Sequence, residues 1–329
     1  MRYVGNRIRN KKRIVARVTV LFVGINFSYA HIIIINGNII IKNKEVTIMN
    51  YFIVTEENAH YFYIKGRGIC RRSTIYKTEP KTVFEAGTDD FSLMYNGSVN
   101  IICTNAENEI FFIKDQHAPL KIMSGKEGIK PYDFRLCNGF DLFYKTDYEG
   151  ETLLFYCKLG VSDKPRLLDT LFPGSGYDCG AEKVFYTDTK KNLVCVCITT
   201  GEKNIVSENS FMPCFAEINS SEYLLYKKEN EIILNSKSIV SDESAVMPVI
   251  FRKGEYTYIQ WKTGSFIRYT TISPDGEVSG IKRYIGPGTE PGIINVSDKS
   301  CAYKCYGYNG MPFMAGVSGV GVIKEKNMY

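Results

Sequence analysis

Metal, nucleophilic or acid–base chemistry would come from clustered histidines, cysteines and carboxylates, and this 329-residue sequence groups few of them. Beyond residue 49 the histidines are His60 and His117, neither with a partner at ligand or triad spacing. A zinc site needs three or four converging ligands, and a Ser-His-Asp or Cys-His pair needs a base within reach, so both readings fail. Cys195-Val-Cys197 places two thiols on one side of a strand, about 7 Å apart, but no second pair lies near; small residues packing between layers is the expectation. Cys301 and Cys305 would stand about 13 Å apart along a strand, too far to share an ion. Gly-rich stretches at Pro173–Gly176, Ile285–Thr289 and Gly316–Gly321 neither follow a strand nor open a helix, so they are not phosphate loops. Ser273-Pro-Asp-Gly276 reads as a tight turn. Asp89, Asp90, Glu107, Glu109, Asp147, Glu149 and Glu151 could supply a carboxylate pair for glycoside chemistry, but read as solvated turn charges. No catalytic, cofactor-binding or metal-ligating residue is assigned, and no cofactor is expected.

The elements that would position these residues are strands. Helical periodicity is nearly absent after Met49; short β-branched and aromatic runs alternate with Gly, Asn, Asp and Lys. The clearest unit has strands at Tyr177–Cys179, Lys183–Asp188, Leu193–Thr199 and Asn204–Val206. Aligning the second strand of each unit gives starts near Ala59, Val99, Phe140, Lys183, Glu222, Tyr256 and Ser300, at intervals of 40, 41, 43, 39, 34 and 44 residues. That is the period of a four-stranded antiparallel blade, and blades must stack into a closed ring to hide both faces. The expectation is an all-β, seven-bladed β-propeller over residues 49–329. Six blades plus an irregular segment is the alternative, because the unit between Glu222 and Gly254 is short. Pro131, Pro213, Pro248 and Pro291 are expected to precede or open innermost strands, where no ladder donor is lost. A repeat that ends in phase offers no strand exchange, so closure is expected to rest on face packing.

With 23 Tyr and 19 Phe, aromatic rings must fill the wedges between blades, and some should line the loops entering the inner strands. Tyr132, Tyr177, Pro213 and Pro291 are the residues expected to form a protein- or peptide-binding face. Replacing Tyr132 and Tyr177 by Ala is expected to abolish partner capture without lowering thermal stability.

Charge is uneven. Of 41 basic and 35 acidic residues, nine basic and one acidic lie in residues 1–48, leaving 32 against 34 in the remainder. The body therefore has no basic excess for nucleic acid, and no membrane segment is expected in 49–329. Residues 1–48 are read as upstream sequence before a true start at Met49: Lys44–Met49 can be encoded by AAG GAG GTG ACN ATA ATG, a ribosome-binding sequence before a start codon, in AT-rich, low-GC DNA. The alternative is a secretory signal peptide over residues 1–30, with basic residues Arg7–Arg17, an apolar Val18–Phe27 stretch and Ala30. All ten cysteines follow residue 49, mostly inside strand-like apolar runs, which suits a reducing, cytoplasmic compartment.

Val184-Phe-Tyr-Thr-Asp188, followed by a turn and a strand ending in Thr200-Gly201, resembles the YWTD repeat of low-density-lipoprotein-receptor-type propellers, with Tyr186 in place of Trp. Phe143-Tyr-Lys-Thr-Asp147 is a looser copy. Over residues 49–326 the blade pattern is similar to bacterial propellers of that group and to TolB-like propellers. The resemblance implies a fold and no catalytic residues. The sequence thus points to a cytoplasmic, non-enzymatic, monomeric interaction scaffold with a protein or peptide partner. The alternative is a secreted or surface-associated propeller that binds or hydrolyses carbohydrate.

Overall fold

The computed structural model describes residues 51–280, apart from residues 55, 65, 74, 77–78, 88–89, 116, 126–127, 162–163, 254–255 and 265. Outside that stretch it gives the backbone of two N-terminal and five C-terminal strands. Residues 1–30 and 43–50 are not described, so the upstream-sequence and signal-peptide readings lie outside the described residues. β1 (His31–Ile35) and β2 (Asn38–Lys42) form a separate antiparallel pair.

Every described element after residue 50 is a strand, and the strands form successive four-stranded antiparallel meanders. The first is β3 (Tyr51–Val54), β4 (Ala59–Ile64), β5 (Gly68–Ser73) and β6 (Lys81–Phe84). The second is β7 (Phe91–Tyr95), β8 (Val99–Thr104), β9 (Ile110–Lys114) and β10 (Leu120–Met123). The third is β11 (Pro131–Cys137), β12 (Asp141–Tyr148), β13 (Glu151–Lys158) and β14 (Arg166–Leu171). The fourth is β15 (Tyr177–Cys179), β16 (Lys183–Thr187), β17 (Leu193–Cys197) and β18 (Lys203–Ser207). The fifth is β19 (Ser210–Ile218), β20 (Ser221–Lys228), β21 (Glu231–Leu234) and β22 (Lys237–Ser241). The sixth is β23 (Ala245–Lys253), β24 (Tyr256–Thr263), β25 (Phe266–Ile272) and β26 (Arg283–Pro287). Last come β27 (Glu290–Asn295), β28 (Ser300–Tyr306), β29 (Pro312–Ser318) and β30 (Gly321–Ile323).

These meanders form six hydrogen-bonded sheets rather than seven separate ones: five have four strands, and β27–β30 joins β3–β6 in one sheet of eight. The join is a parallel contact of innermost strands, Asn295 opposite Ile53. By sheets, the count is that of the six-blade alternative. The backbone contact between the first and last inner strands also replaces the expected closure by face packing alone.

Turn chemistry explains the short fifth unit. Asn219-Ser220 and Asn235-Ser236 each occupy a two-residue hairpin loop with both residues left-handed, φ of 52° and 61°, then 45° and 69°. Such loops match the twist of the flanking strands and waste no residues.

The core lies between sheets, not within one. Ile102 and Ile110 pack on Phe134, Leu136, Leu142 and Tyr144; Phe143 and Leu154 pack on Tyr177, Val184 and Tyr186; Phe185 and Leu193 pack on Tyr226 and Ile233. A second strand such as Val99–Thr104 is buried along its whole length because both of its faces meet a neighbouring sheet. His60, on β4, is one of the buried polar residues. Burial, then the charge of Arg72, holds its pKa down at about 4. The folded state therefore keeps His60 neutral while the unfolded chain takes up a proton below about pH 6.5. Stability should be intact above that pH and fall between pH 6.5 and 4, by about 2 kcal/mol at pH 5 from this residue. Urea unfolding at pH 7 and pH 5 checks it: His60→Gln should show a smaller loss than wild type, and an equal loss would remove His60 as the cause.

Candidate functional site

Three innermost strands share one irregularity. In β11 the pairs Tyr132–Lys145 and Arg135–Phe143 enclose two residues against one; Phe211–Lys227 with Cys214–Leu225 in β19, and Val246–Lys262 with Val249–Gln260 in β23, repeat it. Each is a β-bulge, and its first extra residue is left-handed: Asp133 (φ 52°), Met212 (55°) and Met247 (54°). Methionine gains nothing there on its own, so surrounding bonds must hold the backbone. The Asp133 N–H donates to Asp90 Oδ2 at 2.7 Å, and the Met247 N–H donates to Met212 Sδ at 3.3 Å. Likewise the Phe215 N–H donates to Asp178 Oδ2 at 2.8 Å. Side chains in, or just before, one inner strand thus satisfy backbone donors of the next. Pro131 opens its strand as expected, but Pro213 and Pro248 sit inside theirs, directly after Met212 and Met247, where the bulge leaves the missing N–H without cost.

The bulge in β11 assembles a charged cluster. Lys145 Nζ lies 2.9 Å from Asp133 Oδ2 and donates to the Ser175 carbonyl at 3.2 Å. Its ammonium stands 5.1 Å from the Tyr132 ring centroid and 6.0 Å from that of Tyr177, within cation–π range. The Tyr177 hydroxyl donates to the Asp133 carbonyl. Lys227 is the counterpart of Lys145 in the fifth meander, donating to the carbonyls of Asp242 (3.2 Å) and Glu243 (3.0 Å). In both, a lysine on the second strand ties down the segment that leads into the next inner strand.

Alternation along β11 sends Phe134 and Leu136 into the cluster with the second meander, and Cys137 into the one with the fourth. Arg135 shares the side of Cys137. Its Nη2 is 3.6 Å from Asp133 Oδ1, and the side chain is 48% accessible although it belongs to an innermost strand. Burial opposes the Arg135 charge, but Asp133 and Asp178 outweigh it and raise the pKa above its ordinary value. Burial works to raise both carboxyls; Arg135 and Lys145 overcome it at Asp133, which is held below the usual range, while Asp178 stays above it. Cys179 beside them is pushed up by burial and by its thiol neighbour Cys137.

Of the residues expected to form a binding face, Tyr132 is half-buried and its hydroxyl donates to Asp147 Oδ1 at 2.8 Å. Tyr177 is only 2% accessible, and Pro213 is buried. Neither offers exposed surface; Tyr177 packs with Phe143, Leu154 and Tyr186 between the third and fourth meanders. Pro291 lies on β27, and its side chain is outside the described residues. Stability after Tyr177→Ala is accordingly expected to fall, not to stay unchanged. What does reach solvent where the inner strands begin is a different set: Phe172, edge-to-face with Phe211 at 5.5 Å, and Met212, which is 36% exposed. Lys191 caps Phe172 at 5.4 Å.

Cys195 packs beside Phe185, Leu193, Tyr226 and Ile233, between two meanders, as expected of a small apolar residue. Cys197 is half-buried, its thiol pKa lowered by hydrogen bonds from Thr200. Cys301, Cys305 and Asp89 lie outside the side chains described. His117 is exposed, its Nδ1 2.9 Å from the Lys114 carbonyl. Glu109 is paired with Lys121 and accepts from Asn105, and Asp147 accepts from Thr152 as well as Tyr132. Among the described residues no three His, Cys, Asp or Glu side chains converge as a metal site would require. Lys145 and Arg135 were not singled out by sequence. A signal existed for the first: Phe143-Tyr-Lys145 and Leu225-Tyr-Lys227 each place a lysine directly after an apolar run in the second strand.

The structure is similar to an oligogalacturonate lyase from Vibrio parahaemolyticus, with a TM-score of 0.56 at 6% identity over 87% of this chain and 94% of the other. It is also similar to the BP39L lectin from Burkholderia pseudomallei (0.53, 11% identity, 83% and 95%) and, more distantly, to TolB from Acinetobacter baumannii (0.40, 9%, 70% and 57%). No family profile matches the chain, and no curated protein matches its sequence. At these identities the likeness establishes architecture alone: the chain is an all-β protein of the β-propeller fold, built from four-stranded antiparallel sheets.

Proposed function

We propose that this propeller is a non-enzymatic binding platform for a protein or peptide, and that the partner docks where the inner strands begin. The observation that carries the reading is the rim of partly exposed Tyr132, Phe172, Phe211 and Met212: Tyr132, Phe211 and Met212 sit at the bulges of β11 and β19, and Phe172 packs edge-to-face on Phe211. Aromatic rings give contact area at small entropic cost, and methionine adapts to varied partners. The nearby carboxylates support a structural rather than an acid–base role: Asp90, Asp178 and Asp147 accept the hydrogen bonds that tie adjacent segments together. A cytoplasmic location is part of the reading and is supported by the eight described cysteines, all of them free thiols. So is a monomer whose last meander, β27–β30, counts as a seventh blade.

Kinship with YWTD propellers is supported by the motif strand itself. Val184–Thr187 lies in β16, the Tyr186 hydroxyl donates to Asp169 Oδ2 at 2.7 Å, and Asp188 Oδ1 accepts the N–H groups of Lys190 and Asn192 to shape the following turn.

Affinity capture from the source cells, read by mass spectrometry, tests the platform. Wild type should enrich a stoichiometric partner that Met212→Asp loses while it still unfolds cooperatively, at a somewhat lower melting temperature because Met212 Sδ accepts the Met247 N–H. Retention of every partner by the variant would overturn the assignment of the rim. Turnover of a sugar polymer by the purified chain would favour the carbohydrate reading instead.

A further inference from the structure

We propose that Met212 is an oxidation-sensitive latch at the docking rim: hydrogen peroxide turns its thioether into the sulfoxide, which frees the Met247 amide and closes the rim to its partner. The effect on docking rests on the binding-platform reading, while the latch rests on the geometry of β19 and β23.

Among the described residues, three inner strands are clasped to the preceding meander through a backbone N–H. Two clasps use carboxylate oxygens, Asp90 on Asp133 at 2.7 Å and Asp178 on Phe215 at 2.8 Å. The third uses sulfur: the Met247 N–H donates to Met212 Sδ at 3.3 Å. Carboxylates are inert to peroxide, whereas a thioether is open to oxidation. The sulfur clasp also holds backbone that cannot hold itself. Met247 is left-handed (φ 54°) and precedes Pro248; Met212 is left-handed (φ 55°) and precedes Pro213. Methionine does not favour that region, and proline brings no N–H to help fix it.

Met212 is 36% exposed, whereas Met94, Met123 and Met247 are half-buried, the first two against Ile102, Phe134 and Tyr144. Peroxide therefore reaches Met212 first among the described methionines. A sulfur lone pair attacks one peroxide oxygen, the O–O bond breaks, and an S–O bond forms. A proton passes to the departing oxygen, which leaves as water; sulfur gives up two electrons and the peroxide takes them. An oxygen on the lone pair that faces the amide lies inside contact distance of the Met247 nitrogen, so sulfur and amide must part. On the other lone pair it draws charge off sulfur and leaves a poor acceptor. Either product breaks the clasp. The sulfoxide also sets a strong dipole where the rim otherwise offers an adaptable apolar side chain beside Phe211. Sulfoxides are reduced enzymatically, so the change is reversible.

The test uses the full chain carrying isotope-labelled methionine, followed by NMR. The Met212 methyl signal is assigned by its loss in Met212→Leu, and the Met247 amide by its loss in Met247→Leu. Hydrogen peroxide should convert the Met212 methyl signal before those of Met94, Met123 and Met247. Hydrogen exchange of the Met247 amide should then rise about fivefold, the factor that one ordinary hydrogen bond is worth. Methionine sulfoxide reductase should restore it. In Met212→Leu the exchange should start at the raised level and ignore peroxide, which separates the latch from oxidation of the thiols. Conversion of Met212 with Met247 exchange unchanged, or oxidation of a half-buried methionine first, would overturn the latch. For docking, peroxide should strip the partner from wild type and leave capture by Met212→Leu where it was. Should Met247 exchange respond while treated wild type keeps its partner, the rim falls and the latch survives. Should Met212→Asp abolish capture while wild-type Met247 exchange ignores peroxide, the rim survives and the latch falls.

Discussion

Lys145→Met is expected to lower the free energy of unfolding by about 3 kcal/mol, the lower end of what removing one partner of a buried ion pair costs. The lysine side chain is only 10% accessible and meets Asp133 at 2.9 Å, the Ser175 carbonyl at 3.2 Å and two tyrosine rings. Methionine fills the same volume, so packing is largely kept and the loss is electrostatic. Asp133, 27% accessible, would keep only the looser contact with Arg135. The double variant Lys145→Met with Asp133→Asn should recover part of that loss, because it removes the carboxylate the first change left behind. Urea unfolding of the single and double variants measures both quantities. A loss below about 1 kcal/mol for the single variant would show that the cluster is solvated like a surface pair.

Trp261→Ala should cost about 3–5 kcal/mol, whereas Trp261→Phe should stay within about 1 kcal/mol of wild type. Trp261, on β24, is fully buried and packs with Ile218, Leu225, Ile232, Ile250 and Ile259 between the fifth and sixth meanders. Truncation to alanine opens a cavity between two sheets that cannot collapse independently. Among the described residues its indole Nε1 is buried without a hydrogen-bond partner, so phenylalanine removes an unsatisfied donor along with some volume, and the two effects offset. Because this is the only tryptophan of the chain, wild-type fluorescence should be blue-shifted and should red-shift in one transition on unfolding. Chemical denaturation of the variants, followed by circular dichroism, checks both. A costly Trp261→Phe would mean that Nε1 is satisfied in solution by a bound water.

How much the sequence determined can be judged strand by strand. The expected second-strand starts Ala59, Val99, Lys183, Tyr256 and Ser300 are the first residues of β4, β8, β16, β24 and β28, and Phe140 and Glu222 miss by one. This succeeded because a strand buried on both faces must be apolar throughout and its turns must be rich in Gly, Asn and Asp, both local properties. The unit from Glu222 to Gly254 looked doubtful only because two-residue loops compress it. Free cysteines inside strands were legible for the same local reason.

Tertiary structure alone decided which side chains meet. Nearness to strand openings marks Tyr177 and Pro213 as surface residues, yet both are buried, and no local pattern encodes how closely two inner strands approach. The bulges at Asp133, Met212 and Met247 are equally hidden, since the Asp133 and Met247 amides are held by Asp90 and Met212 of the preceding meander and not by local preference. The parallel contact of Asn295 with Ile53 joins residues 242 positions apart in sequence, and Asp133, Arg135 and Asp178 come together only because the chain turns through a whole meander between β11 and β15. Periodicity fixes each sheet; the chemistry at the axis depends on contacts between sheets, which periodicity does not contain.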